Sequence, residues 1–161
     1  MKKPVTIVIL SLFLSLLSAA PYMGISQAPI STSVEIGYLT KSIDQNIAVS
    51  LPTLGALESD DDWYRYPVAS LNLFFKKRVG TTLAVGVGST MRMGWEYSEE
   101  LSLQAGFALQ LSLETPGVMD ILFCELAYLP KWLKWSQGED SAPLLDKGIG
   151  QFVRFGYRRA F

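Results

Sequence analysis

The chain has 161 residues, a formal net charge of −1, one cysteine and no histidine. A single cysteine excludes a disulfide framework and any multi-cysteine metal site, and the lack of histidine removes the commonest metal ligand and general base. The basic cluster Lys76–Arg78 stands alone, so nothing favours nucleic-acid binding. We predict no catalytic site, no metal and no cofactor.

The first residues have the pattern of a secretory signal. Two lysines precede an apolar stretch from Val5 to Leu17, which is followed by small residues. This stretch is shorter than the roughly twenty residues that a transmembrane helix needs. We predict a signal peptide over residues 1–27, cleaved near Ser26 or Ala28, and a single barrel domain over residues 28–161. A retained anchor is the alternative.

The next part of the chain alternates in a way that is typical of strands. Apolar residues stand at every second position, with small or polar residues between them, which predicts strands over residues 33–40, 46–53, 67–77 and 82–97. Repeated glycines in the last of these suit an inner wall where the backbone curves tightly.

The segment Leu57–Tyr66 interrupts this pattern and is predicted to be a solvated loop. Exposed loop aromatics often mediate contacts. The loop interaction candidates are Asp60, Asp61, Asp62, Trp63 and Tyr64. The acidic run lacks the spaced ligands of a calcium-binding EF-hand loop, so we predict no calcium site.

Residues 101–113 form the clearest element. One face carries Leu101, Leu103, Ala105, Phe107, Leu109, Leu111 and Leu113, and the other carries small or polar residues. Strict alternation predicts a strand. Tilted by about 45°, such a strand covers roughly 30 Å, the thickness of a lipid hydrocarbon core. The small, polar face suits the inside of a membrane barrel.

The last third of the chain leaves one strand to be located. Val118–Leu129 is a sixth strand whose two faces are both largely apolar, so its sides stay open, and a terminal strand begins at Gly150. These make seven strands, whereas single-chain bacterial membrane barrels have an even number and at least eight. The eighth lies either at about residues 21–31 or near Trp132–Gln137. Loop lengths favour the N-terminal position.

The chain ends on alternating apolar and aromatic residues, namely Val153, Phe155, Tyr157 and Phe161, with Arg159 as a departure. This ending resembles the last strand of bacterial outer-membrane β-barrel proteins, which commonly finishes on Phe after such alternation. The resemblance implies that these four residues form a signal for the barrel-assembly machinery. It also implies a location in the bacterial outer membrane.

Together these patterns predict an all-β fold, a small antiparallel up-and-down transmembrane β-barrel of eight strands. Such a barrel is filled by its own side chains, and charges inside it must pair. The predicted lumen charge network comprises Glu35, Arg92, Glu96, Glu114, Arg154 and Arg158. Aromatic rings favour the headgroup level, and the predicted girdle comprises Trp95, Tyr97, Tyr128, Trp132, Trp135, Tyr157 and Phe161.

The favoured function is that of a monomeric outer-membrane barrel with a filled lumen and a structural or loop-mediated interaction role. Its expected partners are outer-membrane lipid, the assembly machinery and an unidentified extracellular or envelope partner. Cys124 is interpreted as a small packed hydrophobe. One alternative is a soluble periplasmic or secreted lipocalin-like barrel, with the leucine face around an apolar ligand. A third alternative is a lipid-modifying outer-membrane enzyme. It is the least favoured, because none of the catalytic residues of the lipid A deacylase and palmitoyltransferase families of small barrels can be matched onto this chain.

Overall fold

Antiparallel strands account for most of the chain that the structure describes. The computed structural model describes residues 19–29, 31–53, 67–96, 100–114, 119–136 and 153–161. The strands in these ranges are β1 (Ala20–Ala28), β2 (Ser31–Leu39), β3 (Ile43–Pro52), β4 (Val68–Val79), β5 (Leu83–Glu96), β6 (Glu100–Glu114), β7 (Asp120–Tyr128), β8 (Lys134–Ser136) and β9 (Val153–Ala160). A short 3-10 helix, Lys131–Leu133, separates β7 from β8.

Eight of these strands close into a barrel. From β1 to β7 each strand pairs with the next in antiparallel fashion, and β9 pairs with both β7 and β1. The short β8 pairs with Ser102–Gln104 of β6. Because β7 pairs only with Phe107–Glu114 of β6, β8 lies beside β6 beyond the end of β7. Closure removes the free sheet edges that lipid cannot solvate. The predicted eight-stranded antiparallel barrel is confirmed.

The additional strand is N-terminal, as the loop lengths predicted. β1 lies between β2 and β9, and Gly24 pairs with Glu35 on one side and Arg158 on the other. The predicted division of the chain at residue 27 therefore falls inside a wall strand. Cleavage itself stays a prediction, but a cut at that point would remove the strand that joins β2 to β9.

The register advances by ten residues for each circuit of the barrel. Following cross-strand partners from Gly24 through Glu35 leads around the barrel to Gln104 on β6. Following them in the other direction, through Arg158, leads to Glu114 on the same strand, ten residues further along. Such a stagger requires strands tilted by about 35–45°. At that tilt the 15 residues of β6 rise by about 35 Å, enough to cross a hydrocarbon core.

The two faces of the wall are inverted relative to those of a soluble protein. On β6, Leu109 is 56% exposed on the outside, while its neighbours Ala108 and Gln110 are 3% and 1% exposed inside. The same outward placement applies to Ile25, Val34, Ile36, Ile47, Val49, Leu71, Phe75, Val87, Leu111, Leu122, Leu126 and Phe155. The buried uncharged polar side chains are Ser26, Ser33, Asn46, Ser70, Asn72, Thr90, Ser102, Gln104, Gln110 and Ser112.

The two ends of the barrel carry different connections. We call one the turn end, because it holds the short turns at residues 40–42 and 80–82 together with the start of β1 and the end of β9. Gly80 has φ +84° with open space around it, a conformation that glycine adopts without strain. We call the other the loop end, because the connections over residues 53–67 and 137–152 leave the wall there.

Candidate functional site

A buried ion cluster crosses the point where the barrel closes. Arg158 on β9 donates from Nε to Glu35 Oε1 at 2.8 Å and from Nη1 to Asp44 Oδ2 at 2.5 Å. Tyr22 on β1 donates its hydroxyl to Asp44 Oδ1 at 2.6 Å. None of these four side chains is more than 2% exposed. Buried charges are tolerated only when they are paired and hydrogen-bonded, and the cluster meets both conditions.

Gly24 makes room for this cluster. Its two cross-strand partners are Glu35 and Arg158, so the ion pair passes directly over it. A Cβ at this position would lie 2.8 Å from Arg158 Cγ and 2.9 Å from Glu35 Oε1. The nearest atom would be the Tyr157 carbonyl oxygen, at 2.7 Å. The glycine is therefore required both by the neighbouring backbone and by the two charged side chains, which join β2 to β9 across β1.

Aromatic rings complete the packing around the Arg158 guanidinium. Its Cζ lies 3.8 Å from the centroid of the Phe123 ring and 5.0 Å from that of Tyr22. A cation over an aromatic face is attracted by the ring quadrupole, most strongly when both are desolvated. The guanidinium is thus held by hydrogen bonds to two carboxylates and by close contact with two aromatic rings.

Each of the three buried aromatic residues in the described part of the wall lies opposite a glycine. The cross-strand pairs are Tyr22 with Gly37, Phe74 with Gly88, and Phe123 with Gly156. A Cβ on Gly156 would lie 2.4 Å from Phe123 Cε1, and one on Gly37 would lie 2.6 Å from Tyr22 Cζ. The Phe123 and Tyr22 rings therefore occupy space that a side chain at Gly156 or Gly37 would need, an arrangement known to stabilise sheet glycines. The atoms nearest a Cβ on Gly88 belong instead to the backbone of Leu73 and Phe74.

A second ion pair lies next to the first. Arg154 on β9 donates from Nη2 to Glu125 Oε2 at 2.6 Å, and the same nitrogen lies 3.8 Å from Glu35 Oε2. The Arg154 Cζ is 5.7 Å from the Phe123 ring centroid. Glu35 therefore links the two arginines of β9 into one network.

A third group of charges lies at the turn end. Lys76 on β4 donates to Glu114 on β6, and Arg78 approaches the other Glu114 oxygen at 3.3 Å. Ser112 donates its hydroxyl to Glu114 Oε1 at 2.9 Å. The Glu114 carboxylate thus accepts hydrogen bonds from three side chains and joins β4 to β6 across β5.

Most of the residues predicted to form the lumen network lie inside the barrel, namely Glu35, Arg92, Glu114, Arg154 and Arg158. Glu96 is the last residue of β5, and its side chain lies outside the described part of the structure. The predicted network did not include Asp44, Glu125 and Lys76, which supply partners for these charges. Asp44 lies two residues before the inward-facing Asn46, so the alternation along β3 already indicated that Asp44 points inward. Glu125 gave no such signal, because both faces of its strand are largely apolar.

The charges of the described interior balance. The buried cations are Lys76, Arg92, Arg154 and Arg158, and the buried anions are Glu35, Asp44, Glu114 and Glu125. Phe74, which is completely buried, packs with Ala108 and Ala127 of β6 and β7. Side chains from strands that are not neighbours therefore meet inside the barrel, and the buried charged groups named here carry no net charge.

Five of the predicted girdle residues are exposed on the outside, namely Tyr128, Trp132, Trp135, Tyr157 and Phe161. Trp132 and Trp135 lie toward the loop end, and Tyr157 and Phe161 lie toward the turn end. Tyr38, 48% exposed near the turn end, was not predicted as a member. Trp95 lies on β5, but its side chain, like Tyr97 as a whole, lies outside the described residues.

The predicted assembly signal lies on the outer face of β9. Phe155, Tyr157 and Phe161 are exposed there, Val153 is half-buried, and Arg159 shares the same face. Tyr157 donates its hydroxyl to Asp120 at 2.5 Å. Recognition by the assembly machinery stays a prediction. The loop interaction candidates Asp60, Asp61, Asp62, Trp63 and Tyr64 lie outside the described residues.

Chemistry-bearing groups other than the ion pairs are sparse in the part of the chain that the structure describes. Cys124 is half-buried, and its cross-strand partners Leu111 and Phe155 both point outward. No group of three His, Cys, Asp or Glu residues in the described ranges is arranged to hold a metal ion. Within those ranges no helix is long and apolar enough to cross a membrane.

Similarity to known proteins is found among solved structures. No protein-family model and no curated protein matches the chain. Among solved structures, the outer membrane protein Ail of Yersinia pestis, described in a phospholipid bilayer nanodisc, matches 89% of this chain and 98% of its own, with 10% identity and a TM-score of 0.44. The fold assignment rests on the closed register described above.

Proposed function

We propose that the protein is a monomeric outer-membrane β-barrel that acts without catalysis, through its connections at the loop end. The observation that carries the proposal is the inversion of the two faces. A ring of half-exposed Leu, Ile, Val, Met and Phe side chains surrounds a polar, charge-paired interior. Contiguous apolar surface on this scale is rare on soluble monomers, whereas a bilayer solvates it.

The lipocalin-like alternative requires the opposite arrangement. It needs the leucine face of residues 101–113 to enclose an apolar ligand, but Leu109 and Leu111 are 56% and 48% exposed on the outside. The inside offers Gln104, Gln110 and Ser112 in their place. An apolar ligand would leave these buried polar groups without hydrogen-bond partners, at a cost of about 1–3 kcal/mol each.

The filled lumen argues against a diffusion pore, and the composition argues against catalysis. Arg158, Tyr22, Phe123 and Phe74 place large side chains inside the barrel, and each is at most 4% exposed. Without histidine, Ser-His and Cys-His mechanisms are not available to the chain. The parts best suited to recognition are then the connections over residues 54–66 and 137–152. Polar residues are frequent in both sequences, and the first also carries Trp63 and Tyr64.

Cell fractionation combined with a heat-modifiability gel tests the proposal. The protein is expected in the outer-membrane fraction and migrates differently in detergent before and after boiling, because a closed barrel resists unfolding by detergent alone. Recovery in the soluble fraction after osmotic release would overturn the membrane assignment. In planar bilayers the purified barrel is expected to give no stable conductance steps, and regular steps would overturn the closed lumen.

A further inference from the structure

The outer wall near the turn end carries a groove of about 480 Å³. It runs across β1 to β4 and is lined mainly by Met23, Ile36, Tyr38, Ile47, Leu71 and Phe161. These six side chains are between 48% and 62% exposed. The groove is part of the apolar belt.

Basic residues flank the turn-end rim of this groove. Arg159 on β9 pairs directly with Met23 and is 64% exposed, with its Nε 3.9 Å from Asp120 Oδ1. Lys41 is exposed in the turn that follows Tyr38. Arg159 is therefore level with the groove residue Met23, whereas Lys41 lies beyond Tyr38 toward the turn end, and these two exposed cations adjoin the groove against one partly exposed carboxylate.

We infer that the groove binds one phospholipid with a net negative headgroup, taken from the leaflet next to the turn end. One acyl chain lies between Tyr38, Met23 and Ile47. The headgroup phosphate lies at the rim, where Lys41 and Arg159 neutralise it. An apolar groove that opens on a cationic rim is complementary to this amphipathic ligand, since apolar contact supplies affinity and charge supplies headgroup preference.

The inference rests on the proposed membrane location, because it requires a bilayer around the belt. Retention of lipid by the purified full-length barrel tests it, measured by native mass spectrometry in detergent after incubation with dioleoyl phosphatidylglycerol or dioleoyl phosphatidylcholine. The wild type is expected to retain one phosphatidylglycerol per barrel, at several-fold higher occupancy than phosphatidylcholine.

Two matched pairs of variants separate the groove from the rim. Ile36→Trp fills the groove and is expected to abolish retention, whereas Leu109→Trp, on the outer face of β6, leaves it unchanged. The double variant Lys41→Gln with Arg159→Gln is expected to reduce phosphatidylglycerol occupancy to that of phosphatidylcholine. Lys134→Gln, at the loop end, leaves the preference intact.

The outcomes distinguish this inference from the proposed function. Each variant is first checked for heat-modifiable migration, and Ile47→Trp replaces Ile36→Trp if the latter does not fold. A folded, membrane-inserted barrel that retains both lipids equally, or whose filled-groove variant still retains lipid, overturns the inference alone. A dimer that disappears when the groove is filled also overturns it, because the occupant would then be a second copy. A chain that is not recovered from membranes overturns the proposed function instead.

Discussion

Arg158 joins four strands through its side chain. From β9 it binds Glu35 of β2 and Asp44 of β3, and its guanidinium lies on the Phe123 ring of β7. Its side chain is 1% exposed. In a barrel without a large apolar core, such paired charges replace the packing that holds the inside of a soluble domain together.

Replacing Arg158 by Met is expected to destabilise the barrel strongly. The change leaves the Glu35 and Asp44 carboxylates buried with one partner fewer, and breaking a buried pair in this way typically costs about 3–5 kcal/mol. Urea unfolding in detergent or lipid, followed by tryptophan fluorescence, measures the change in the free energy of unfolding.

The adjacent Arg159 provides the matched control. It is 64% exposed and approaches Asp120 only at 3.9 Å, and surface pairs of this kind contribute about 0–1 kcal/mol. Arg159→Met is therefore expected to change the free energy of unfolding by less than about 1 kcal/mol. Equal effects at the two positions would contradict the assignment of Arg158 as the centre of the cluster.

The glycine–aromatic pairs lead to a second prediction at this scale. Gly156→Ala brings a Cβ to 2.4 Å from the Phe123 ring and 2.6 Å from the Ile25 carbonyl oxygen. Overpacking of this kind typically costs about 1–3 kcal/mol. Gly94→Ala, whose nearest contact would be Val68 Cγ2 at 3.2 Å, is expected to cost less in the same unfolding experiment.

A double-mutant cycle tests whether the ring is the cause. If Gly156→Ala acts through Phe123, then Phe123→Leu is expected to relieve part of the loss, so that the two changes are not additive. Additive losses would place the strain at the Ile25 carbonyl instead.

At the scale of the element, β6 is the strand on which the lipid assignment is best tested. Leu109 lies in the middle of this 15-residue strand, and Leu113 lies near its turn end. Arg on the lipid face costs about 2–4 kcal/mol at the bilayer midplane and about 0–1 kcal/mol near the interfaces. Leu109→Arg is therefore expected to lower the free energy of unfolding in lipid vesicles much more than Leu113→Arg does. A harmless Leu109→Arg would indicate that water covers this face.

The orientation of strands with one polar face was predictable, whereas that of β7, which was predicted as a strand but has two largely apolar faces, was not. In β3 the alternation of Ile47 and Val49 with Ala48 determines both the element and its orientation, because one face must meet lipid and the other the lumen. In β7 the inward positions include Phe123, whose ring occupies the space over Gly156. An apolar residue inside is acceptable there only because another strand supplies a glycine opposite it, and the sequence of β7 alone cannot contain that information.

At the scale of the molecule, β1 decides whether the barrel can close. Its residues pair with β2 and β9, and Tyr22 reaches Asp44 on β3. A chain that lacked this strand would leave two unpaired edges in the bilayer, where each unsatisfied backbone group costs several kcal/mol. We therefore expect a mature protein purified from membranes to begin no later than Pro21.

N-terminal sequencing or intact mass measurement checks this expectation. A heat-modifiable barrel that begins after residue 27 would contradict the position of β1 in the wall. Deletion of residues 22–28 is expected to abolish heat-modifiable migration. Deletion of residues 58–64 in the connection between β3 and β4 serves as the control, and it is expected to leave that migration unchanged.

The sequence by itself sufficed to predict that lipid surrounds the protein and that antiparallel strands form its wall. A period of two with apolar residues on one face is a local property, and it sufficed to predict strands, their outward faces and a polar lumen. Charges at Glu35, Arg154 and Arg158 on the inward phase also indicated that ion pairs would form. The tertiary structure decided which groups pair, because partners such as Glu35 and Arg158 are brought together only by the stagger and closure of the whole sheet. It likewise decided that residues 20–28 form the eighth wall strand, since backbone groups at both edges of the open sheet must be satisfied at once.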